Sequence, residues 1–333
     1  MELKELLQKL TETYGPSGSE ECIRDVIAGE LTGLVDEQRV DAMGSLIALK
    51  RGSGGGLKVM LAAHMDEIGV IVTHVDEKGF LRFQPIGGVY PLTLLGSRAV
   101  FANGVVGVFG LEKLDSNQNV PDLEKFYLDV GATSKHDAPV QIGDAASFFR
   151  PLVQSGPRWI AKAMDDRSGC AVILEMLRRL KNIPHDLYAV FTVQEEVGLR
   201  GARTSTFGVD PDLALAVDVT MTGDTPESRT MAVSLGQGPA IKIKDSGMLA
   251  HPAVKDLLIQ TAEREGIPYQ REILERGTTD ATAMQLTRSG IPAGVVSIPC
   301  RYVHTNSEMV DSSDMENAAR LLVAVLSNPI SLK

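Results

Sequence analysis

Five short segments of this 333-residue chain place histidine, aspartate or glutamate directly after an apolar run. A buried carboxylate costs several kcal/mol unless it is paired with a cation or coordinated to a metal. The same arrangement in five places therefore indicates one shared site. The residues are His64 and Asp66 in LAAHMDEIG, Asp165 and Asp166 in AKAMDDRSG, Glu195 and Glu196 in FTVQEEVG, Asp218 in LAVDVT, and His304 in SIPCRYVHTN.

The donor types in this set are those of a metal site. Two imidazoles and several carboxylates, without thiolates, suit Zn²⁺, Co²⁺ or Mn²⁺. Two such ions about 3.5 to 4 Å apart need a bridging carboxylate and at least one terminal anion each to offset their mutual repulsion. The three cysteines, Cys22, Cys170 and Cys300, are far apart and form no C-x-x-C pair, which argues against a thiolate zinc site.

Several of these residues also have interpretations that need no metal. His64 alone is compatible with an ordinary core histidine, although Asp66 two residues later could hold the second nitrogen of its ring. Asp165 and Asp166 could cap the following helix, a position that aspartate favours. Asp218 is harder to explain without a cation, because it ends a continuous apolar strand.

The adjacent glutamates Glu195 and Glu196 follow a predicted strand. Neighbouring side chains of a regular strand point to opposite faces, so both can serve one site only where the strand ends and the chain turns. Gly198 allows such a turn. One glutamate could then bind metal while the other acts as a general base on the attacking water.

Strands and helices must bring these segments together. Helical spacing of apolar residues, with capping-box patterns at 17–20 and 313–316, predicts two amino-terminal helices and later helices near 168–181, 252–265 and 314–326. Alternating or apolar runs predict strands near 45–50, 58–63, 187–193, 213–217 and 293–298. Together they predict an α/β three-layer sandwich with a mostly parallel central sheet, whose functional groups gather at the carboxyl ends of the strands.

A β-rich stretch interrupts this alternation. Turn signals such as Glu77-Lys78-Gly79 and Gly87-Gly88 separate short β-rich runs, and no long helical period is present. We expect an inserted small all-β, barrel-like domain at 68–149. The catalytic domain would then be discontinuous, formed by 1–67 and 150–333.

Charge and hydropathy limit the class of partner. A formal net charge of -10 argues against nucleic acid and against anionic membrane surfaces, and favours small molecules or peptides. The amino terminus, MELKELLQKL, carries charges throughout and lacks the apolar stretch of a signal peptide, so we expect a cytoplasmic location. No uninterrupted apolar run is long enough to predict a membrane span.

Six ordered segments resemble one known family. They are AAHMDEIG, AKAMDDRSGC, QEEVGLRGA, AVDVT, TTDATAMQLTRSGIP and IPCRYVHTNSEMV. In order and interval they resemble the tetrahedral (TET) or deblocking aminopeptidases, dinuclear metallopeptidases that include the glutamyl aminopeptidases. Members of this family have often been mislabelled endoglucanases or cellulases. The resemblance covers essentially the whole chain.

The resemblance implies a set of metal ligands. It implies that Asp165 bridges two divalent ions, zinc or cobalt, with manganese as a further option. It places His64 and Asp218 on different ions, with Glu196 and His304 completing the two ligand sets.

The resemblance also implies catalytic and backbone roles. Glu195 would be the general base, and Asp66 would contact His64 and orient its ring without binding metal itself. The peptide bond between Asp165 and Asp166 would be cis, as it is in related enzymes.

The activity implied is hydrolysis of the amino-terminal residue of short peptides that have a free amino terminus. One metal would polarise the scissile carbonyl, both would hold hydroxide, and Glu195 would pass its proton to the leaving amine. The acidic site would also attract the α-ammonium group of the substrate. The β insert would mediate dimers, which the family commonly assembles into a tetrahedral dodecamer.

Two other functions remain open from the sequence. In a metal-independent glycosidase, Glu195 and another carboxylate would form the acid and nucleophile pair. Only 5% of the residues are aromatic and Trp159 is the sole tryptophan, so the chain offers few surfaces for stacking sugars. A non-catalytic, metal-stabilised peptide-binding scaffold is the other alternative. Asp280 could line a substrate pocket or cap a helix.

Overall fold

The computed structural model describes residues 1–114 and 120–332. The helices are α1 (Leu3–Glu12), α2 (Glu21–Glu30), α3 (Met164–Arg179), α4 (Arg200–Val209), α5 (Pro252–Arg264), α6 (Asp280–Gln285) and α7 (Ser312–Leu326). Within the described residues, no helix is both long and apolar enough to cross a membrane. The cellular location stays a prediction.

The strands lie in two groups along the chain. They are β1 (Glu37–Val40), β2 (Leu46–Lys50), β3 (Lys58–His64), β4 (Gly69–Val75), β5 (Leu81–Ile86), β6 (Arg98–Phe101), β7 (Val106–Leu111), β8 (Phe126–Asp129), β9 (Ala145–Phe148), β10 (Val153–Ser155), β11 (Arg158–Ala161), β12 (Asp186–Thr192), β13 (Leu213–Thr220), β14 (Ala240–Lys244), β15 (Gln270–Ile273), β16 (Ala293–Arg301) and β17 (Glu308–Asp311).

The first group forms one mixed sheet with the order β1-β2-β12-β3-β13-β16-β17-β11-β10, and β14 and β15 branch from β16. The central neighbours β12, β3, β13 and β16 run parallel to one another. Antiparallel pairs flank this centre on both sides. Parallel neighbours end at the same edge, so residues that follow β3, β12, β13 and β16 are brought together.

Helices cover both faces of the sheet. In β3, Val59 and Leu61 pack with α1, α3 and α7 on one side, whereas Met60 and Ala62 pack with α4 and α6 on the other. This alternation buries both faces of the strand, which explains its continuous apolar sequence. The predicted three-layer α/β sandwich with a mostly parallel centre is confirmed.

The second group forms a closed antiparallel barrel in the order β4-β5-β8-β7-β6-β9. Its interior is apolar and includes Phe83, Phe101, Phe109, Phe126 and Phe148. The predicted barrel-like addition to the sandwich is therefore present. All its strands lie between Gly69 and Phe148, and we propose the predicted limits 68–149 as the boundaries of this domain.

The two predicted capping boxes are wrong in detail. The side chain of Asp311, not Ser313, caps α7 by accepting a hydrogen bond from the Ser313 amide. Helix α2 begins only at Glu21, because Ser17 donates its hydroxyl hydrogen to Asp66 Oδ2 at 2.6 Å instead of capping the helix. The segment between α1 and α2 thus contacts Asp66, one of the predicted site residues, directly.

Candidate active site

Six of the predicted site residues line a single cavity of about 300 Å³ at the carboxyl ends of the central strands. His64 ends β3, Asp218 lies near the end of β13, and the other segments follow β11, β12 and β16. The sheet order therefore brings together segments that are far apart in sequence. The six residues are His64, Asp165, Glu195, Glu196, Asp218 and His304.

Asp165 lies between the two histidines. Its Oδ1 is 2.8 Å from His64 Nε2, and its Oδ2 is 3.4 Å from His304 Nε2. His304 Nε2 is also 3.2 Å from Glu196 Oε2. One carboxylate thus presents a different oxygen to each histidine, which is the arrangement that a bridging ligand requires.

His64 and Asp218 are neighbours. His64 Nε2 lies 3.9 Å from Asp218 Oδ1. Ligand atoms of His64, Asp166 and Asp218 lie within 4.8 Å of one another, as do those of His64, Asp165 and Glu196. This proximity, which follows from the adjacent parallel strands β3 and β13, favours one shared ion for His64 and Asp218 over the predicted placement on different ions, and the assignment of ligands to ions stays a prediction.

The residues present fit divalent cations. Glu196 Oε1 and Asp166 Oδ2 are buried and have no hydrogen-bond partner among the described residues. A buried acceptor without a partner is unfavourable, and a nearby cation would relieve that cost. Imidazoles and carboxylates without thiolates also form a hard to borderline donor set.

Charge in the cavity is strongly unbalanced. Burial raises the pKa of Asp218, Glu195 and Glu196, and repulsion from neighbouring carboxylates adds to this effect. Burial opposes ionisation of Asp165 too, but hydrogen bonds from both histidines lower its pKa. For His304, burial lowers the pKa, but the hydrogen bonds that its ring donates to the Asp165 and Glu196 carboxylates outweigh burial and raise the pKa to about 12. The cluster therefore attracts positive charge.

Asp66 lies behind the cavity and holds the glutamate segment. Its Oδ1 accepts a hydrogen bond from the Glu195 amide at 3.0 Å, and its Oδ2 accepts one from the Glu196 amide at 3.2 Å. His64 Nδ1 is 3.2 Å from the Asp66 backbone oxygen and 3.5 Å from its carboxylate. Asp66 therefore contacts His64 and fixes the backbone of both glutamates.

The turn that presents the glutamates begins where β12 ends, at Thr192. Gln194 has a φ of 55° and Gly198 a φ of 125°. The Gln194 amide donates to Glu20 Oε1 at 3.2 Å, so three consecutive amides, of residues 194–196, are bound by two buried carboxylates. The predicted turn after the strand is confirmed.

The sequence left two roles open for Asp165 and Asp166, a place in the site and a helix cap, and the structure shows one role for each residue. Asp165 points into the cavity, whereas Asp166 Oδ1 accepts a hydrogen bond from the Gly169 amide at 2.9 Å, as a helix cap does. The peptide bond between them is cis, as the resemblance implied. Both residues have non-helical backbone angles at the start of α3.

Two further buried carboxylates lie near the cavity: Glu308, which was not singled out from the sequence, and Asp280, for which the sequence left a pocket role and a capping role open. Glu308 accepts hydrogen bonds from the amides of Asp165 and His304. Asp280 accepts a hydrogen bond from the Thr192 hydroxyl, and burial raises its pKa to about 6. Thr279, not Asp280, caps α6. The signal for Glu308 is its position four residues after His304, within a segment already singled out.

A second cavity, of about 490 Å³, adjoins the first. The two share Met221, Leu274 and Arg276 in their linings. The rest of the second lining includes Tyr90 and Met231. The site therefore opens onto a second space that is large enough for an amino-acid side chain of any size and is lined by both apolar and charged residues.

Comparison with known proteins agrees with these features. Residues 44–321 match the family model of the M42 glutamyl aminopeptidases. A putative aminopeptidase from Acetivibrio thermocellus is 52% identical over 325 residues, which cover 97% of this chain and 98% of the relative. The lysyl aminopeptidase of Pyrococcus furiosus is 37% identical over 340 residues, covering 97% of this chain and 96% of the relative.

Solved structures show the same fold. An aminopeptidase from the archaeon Desulfurococcus kamchatkensis superposes with a TM-score of 0.95 at 42% identity, over 98% of this chain and 95% of that one. The TET1 peptidase of Pyrococcus horikoshii, described as able to assemble into a tetrahedron or a large octahedral shell, has a TM-score of 0.87 at 31% identity, over 98% and 99% of the chains. The resemblance noted in the sequence is confirmed: the chain belongs to the M42 glutamyl aminopeptidase family of peptide-hydrolysing enzymes.

Proposed function

We propose that the chain is a dinuclear aminopeptidase that removes the amino-terminal residue of short peptides, with Glu195 as general base. The observation that supports this most strongly is the cavity itself. Carboxylates and imidazoles from five distant segments converge there, and the buried Oε1 of Glu196, one of the lining residues, lacks a hydrogen-bond partner among the described residues. Family membership favours this function over a glycosidase or a non-catalytic scaffold.

The distances favour one distribution of ligands between two ions. His64, Asp165 and Asp218 would hold the first ion, and Asp165, Glu196 and His304 the second. When bound, zinc or cobalt would act as a Lewis acid that polarises the peptide carbonyl and lowers the pKa of water. Asp165 would belong to both ligand sets in this assignment, because its two carboxylate oxygens lie near different histidines.

Glu195 moves the proton in this mechanism. Its carboxylate lines the cavity, and Asp66 fixes its backbone. Glu195 accepts a proton from the attacking water as the new C–O bond forms. It then donates that proton to the leaving amine nitrogen as the C–N bond breaks, so the base is regenerated in each cycle.

The charge of the cavity supports exopeptidase action. A peptide with a free amino terminus presents an α-ammonium group, which the acidic cluster attracts. The first side chain of the peptide would then enter the adjoining cavity. Arg229 and Arg276 line that cavity and have no ion-pair partner among the described residues, whereas Glu275 is the one acidic group in the lining. Two arginines against one glutamate give the cavity a net positive charge, which favours a substrate whose first residue is acidic over one whose first residue is basic.

Self-association is part of the proposal. The related TET1 peptidase is described as a tetrahedral or octahedral assembly. On this chain, exposed apolar side chains occur in and beside the barrel, and they include Leu92, Leu95, Val106, Val108 and Ile142. We propose that the barrel mediates dimers and that dimers assemble into a dodecamer. Light scattering would measure the mass, and a stable monomer would contradict this part.

Metal removal tests the proposed chemistry. Protein stripped with EDTA should lose activity on aminoacyl p-nitroanilides, and Zn²⁺ or Co²⁺ should restore it with two ions bound per chain in a calorimetric titration. Full activity after complete removal of metal would overturn the proposal. EDTA-resistant cleavage of a cellulose oligomer would instead support a glycosidase.

A further inference from the structure

Glu308 connects two of the segments that carry proposed metal ligands. It is the first residue of β17 and is 1% exposed. Its Oε2 accepts a hydrogen bond from the Asp165 amide at 3.0 Å, and its Oε1 accepts one from the His304 amide at 2.7 Å. Each oxygen of one carboxylate thus holds the backbone of a different ligand.

Both of these backbones depart from regular structure at the point where Glu308 binds them. Asp165 has φ -78° and ψ 107°, outside the helical region, although it lies at the start of α3. His304 has a φ of 63°, in the left-handed region that few residues other than glycine adopt. Neither amide lies in a regular helix turn or sheet ladder. Hydrogen bonds to the Glu308 carboxylate therefore orient these two backbone segments, as the hydrogen bonds of a helix or sheet would elsewhere.

The relative position of these two ligands is critical for metal binding. His304 Nε2 and Asp165 Oδ2 are 3.4 Å apart, and both face the same proposed ion. Metal–ligand bond lengths tolerate changes of only a few tenths of an ångström. A shift of either backbone would therefore separate two donors that must contact one cation together.

We propose that Glu308 is a positioning residue that fixes the distance between Asp165 and His304 and thereby sets the affinity of the metal site. Glu308 is not among the residues that line the cavity, so it acts through the two ligands and not on the substrate. This inference rests on the proposed metal-dependent function, because it concerns the ligands of the second proposed ion.

The chain contains a matched control for this carboxylate. Asp314, in α7, is also fully buried, and its two oxygens accept hydrogen bonds at 2.7 Å from the amides of Gly236 and Gly238. Asp314 does not line the cavity. The pair Glu308→Gln and Asp314→Asn therefore removes the same interaction once beside the proposed site and once away from it.

The test is a titration of metal-free protein with Co²⁺ in competition with a chelator. In Glu308→Gln the side-chain NH₂ group would face one of the two backbone amides, and two donors cannot form a hydrogen bond with each other. One ligand backbone would therefore be released, and we expect the affinity for at least one ion to fall by tenfold or more. Asp314→Asn should keep the wild-type affinity within about threefold. The visible spectrum of bound Co²⁺ should change in the first variant alone, because it reports ligand geometry.

Activity at saturating metal separates positioning from catalysis. Because Glu195 is unchanged in Glu308→Gln, excess Co²⁺ should restore kcat to within a few-fold of the wild-type value. If Glu308→Gln does not fold, Glu308→Asp keeps the charge but is too short to reach both amides, and an intermediate loss of affinity is expected.

Wild-type affinity in both Glu308 variants, or an equal loss in Asp314→Asn, would overturn the inference. Failure of the wild-type protein to bind metal would overturn the proposed function instead. The two failures are therefore distinguishable in one experiment.

Discussion

Glu195 and Glu196 have the same side chain and adjacent positions, but their surroundings differ. Glu196 Oε2 lies 3.2 Å from His304 Nε2, and its Oε1 is buried without a partner among the described residues. Glu196 also belongs to one of the two ligand groups, whereas among the described residues Glu195 belongs to neither. These differences support Glu196 as a ligand and Glu195 as the base, both of which stay predictions.

Replacement of Glu195 tests that division. Glu195→Gln keeps the shape of the side chain but removes the proton acceptor, so kcat should fall by about 10² to 10⁴. Bound metal, measured by atomic emission, should stay at the wild-type content. Asp218→Ala is the contrasting variant, because it should lose metal as well as activity. Turnover of Glu195→Gln within a few-fold of the wild type would remove Glu195 from its proposed role.

Arg276 allows a test of substrate preference. It lines both cavities and has no ion-pair partner among the described residues. Arg276→Ala should lower kcat/KM for a glutamyl substrate about tenfold relative to a leucyl substrate, because a charge-assisted contact is worth roughly 1.5 kcal/mol. Arg320→Ala, in α7 and outside both linings, is the control. An unchanged ratio of the two substrates would contradict an acidic preference.

At the scale of elements, the barrel forms part of the site. The turn after β5 approaches His304 so closely that a Cβ at Gly88 would lie 2.3 Å from His304 Nδ1. Asn306, two residues later, donates hydrogen bonds to Thr93 O at 3.2 Å and to Ser97 Oγ at 2.6 Å. The barrel segment 88–97 therefore supports the loop that carries one proposed ligand, in addition to any role in assembly.

The close approach of Gly88 gives a steric test. Gly88→Ala should displace the His304 ring and reduce Co²⁺ affinity and kcat/KM by at least tenfold, because the added methyl group has no free space. Gly29→Ala is the control, since nothing lies within 4 Å of a Cβ there and alanine favours helix α2 by about 1 kcal/mol. Wild-type metal affinity in Gly88→Ala would show that the barrel turn can move away without cost.

At the scale of the whole molecule, the proposed metal site would link folding to metal binding. The donors converge only when β3, β12, β13 and β16 are assembled in one sheet, so the unfolded chain lacks the site. Without cations, several buried carboxylates repel one another, and this repulsion opposes folding. We therefore expect metal to stabilise the native state.

Unfolding experiments can measure this coupling. At a free Co²⁺ concentration of 100 times Kd, each site should add about 2.7 kcal/mol to the free energy of unfolding and raise the melting temperature. Asp218→Ala should show a smaller increase, because one proposed ligand is absent. A melting temperature that does not respond to Co²⁺ would exclude a tight site in the native protein.

Much of this protein could be predicted from residue types alone. The apolar run of β3 and the polar residues His64 and Asp66 that end it indicated a buried parallel strand with chemistry at its carboxyl end. The donors that line the cavity were all named from the sequence, because the cost of burying charge is a property of each residue and its neighbours in the chain. Turn signals likewise located the barrel.

Tertiary structure decided which of these residues act together. His64 lies beside Asp218 because β3 and β13 are adjacent, an order of strands that local sequence does not encode. Asp165 enters the cavity while Asp166 caps α3, a division that depends on the backbone between them. The contacts of Glu308 join segments distant in sequence. Such pairings depend on long-range packing of the whole chain, whereas the donor set depends only on side-chain chemistry.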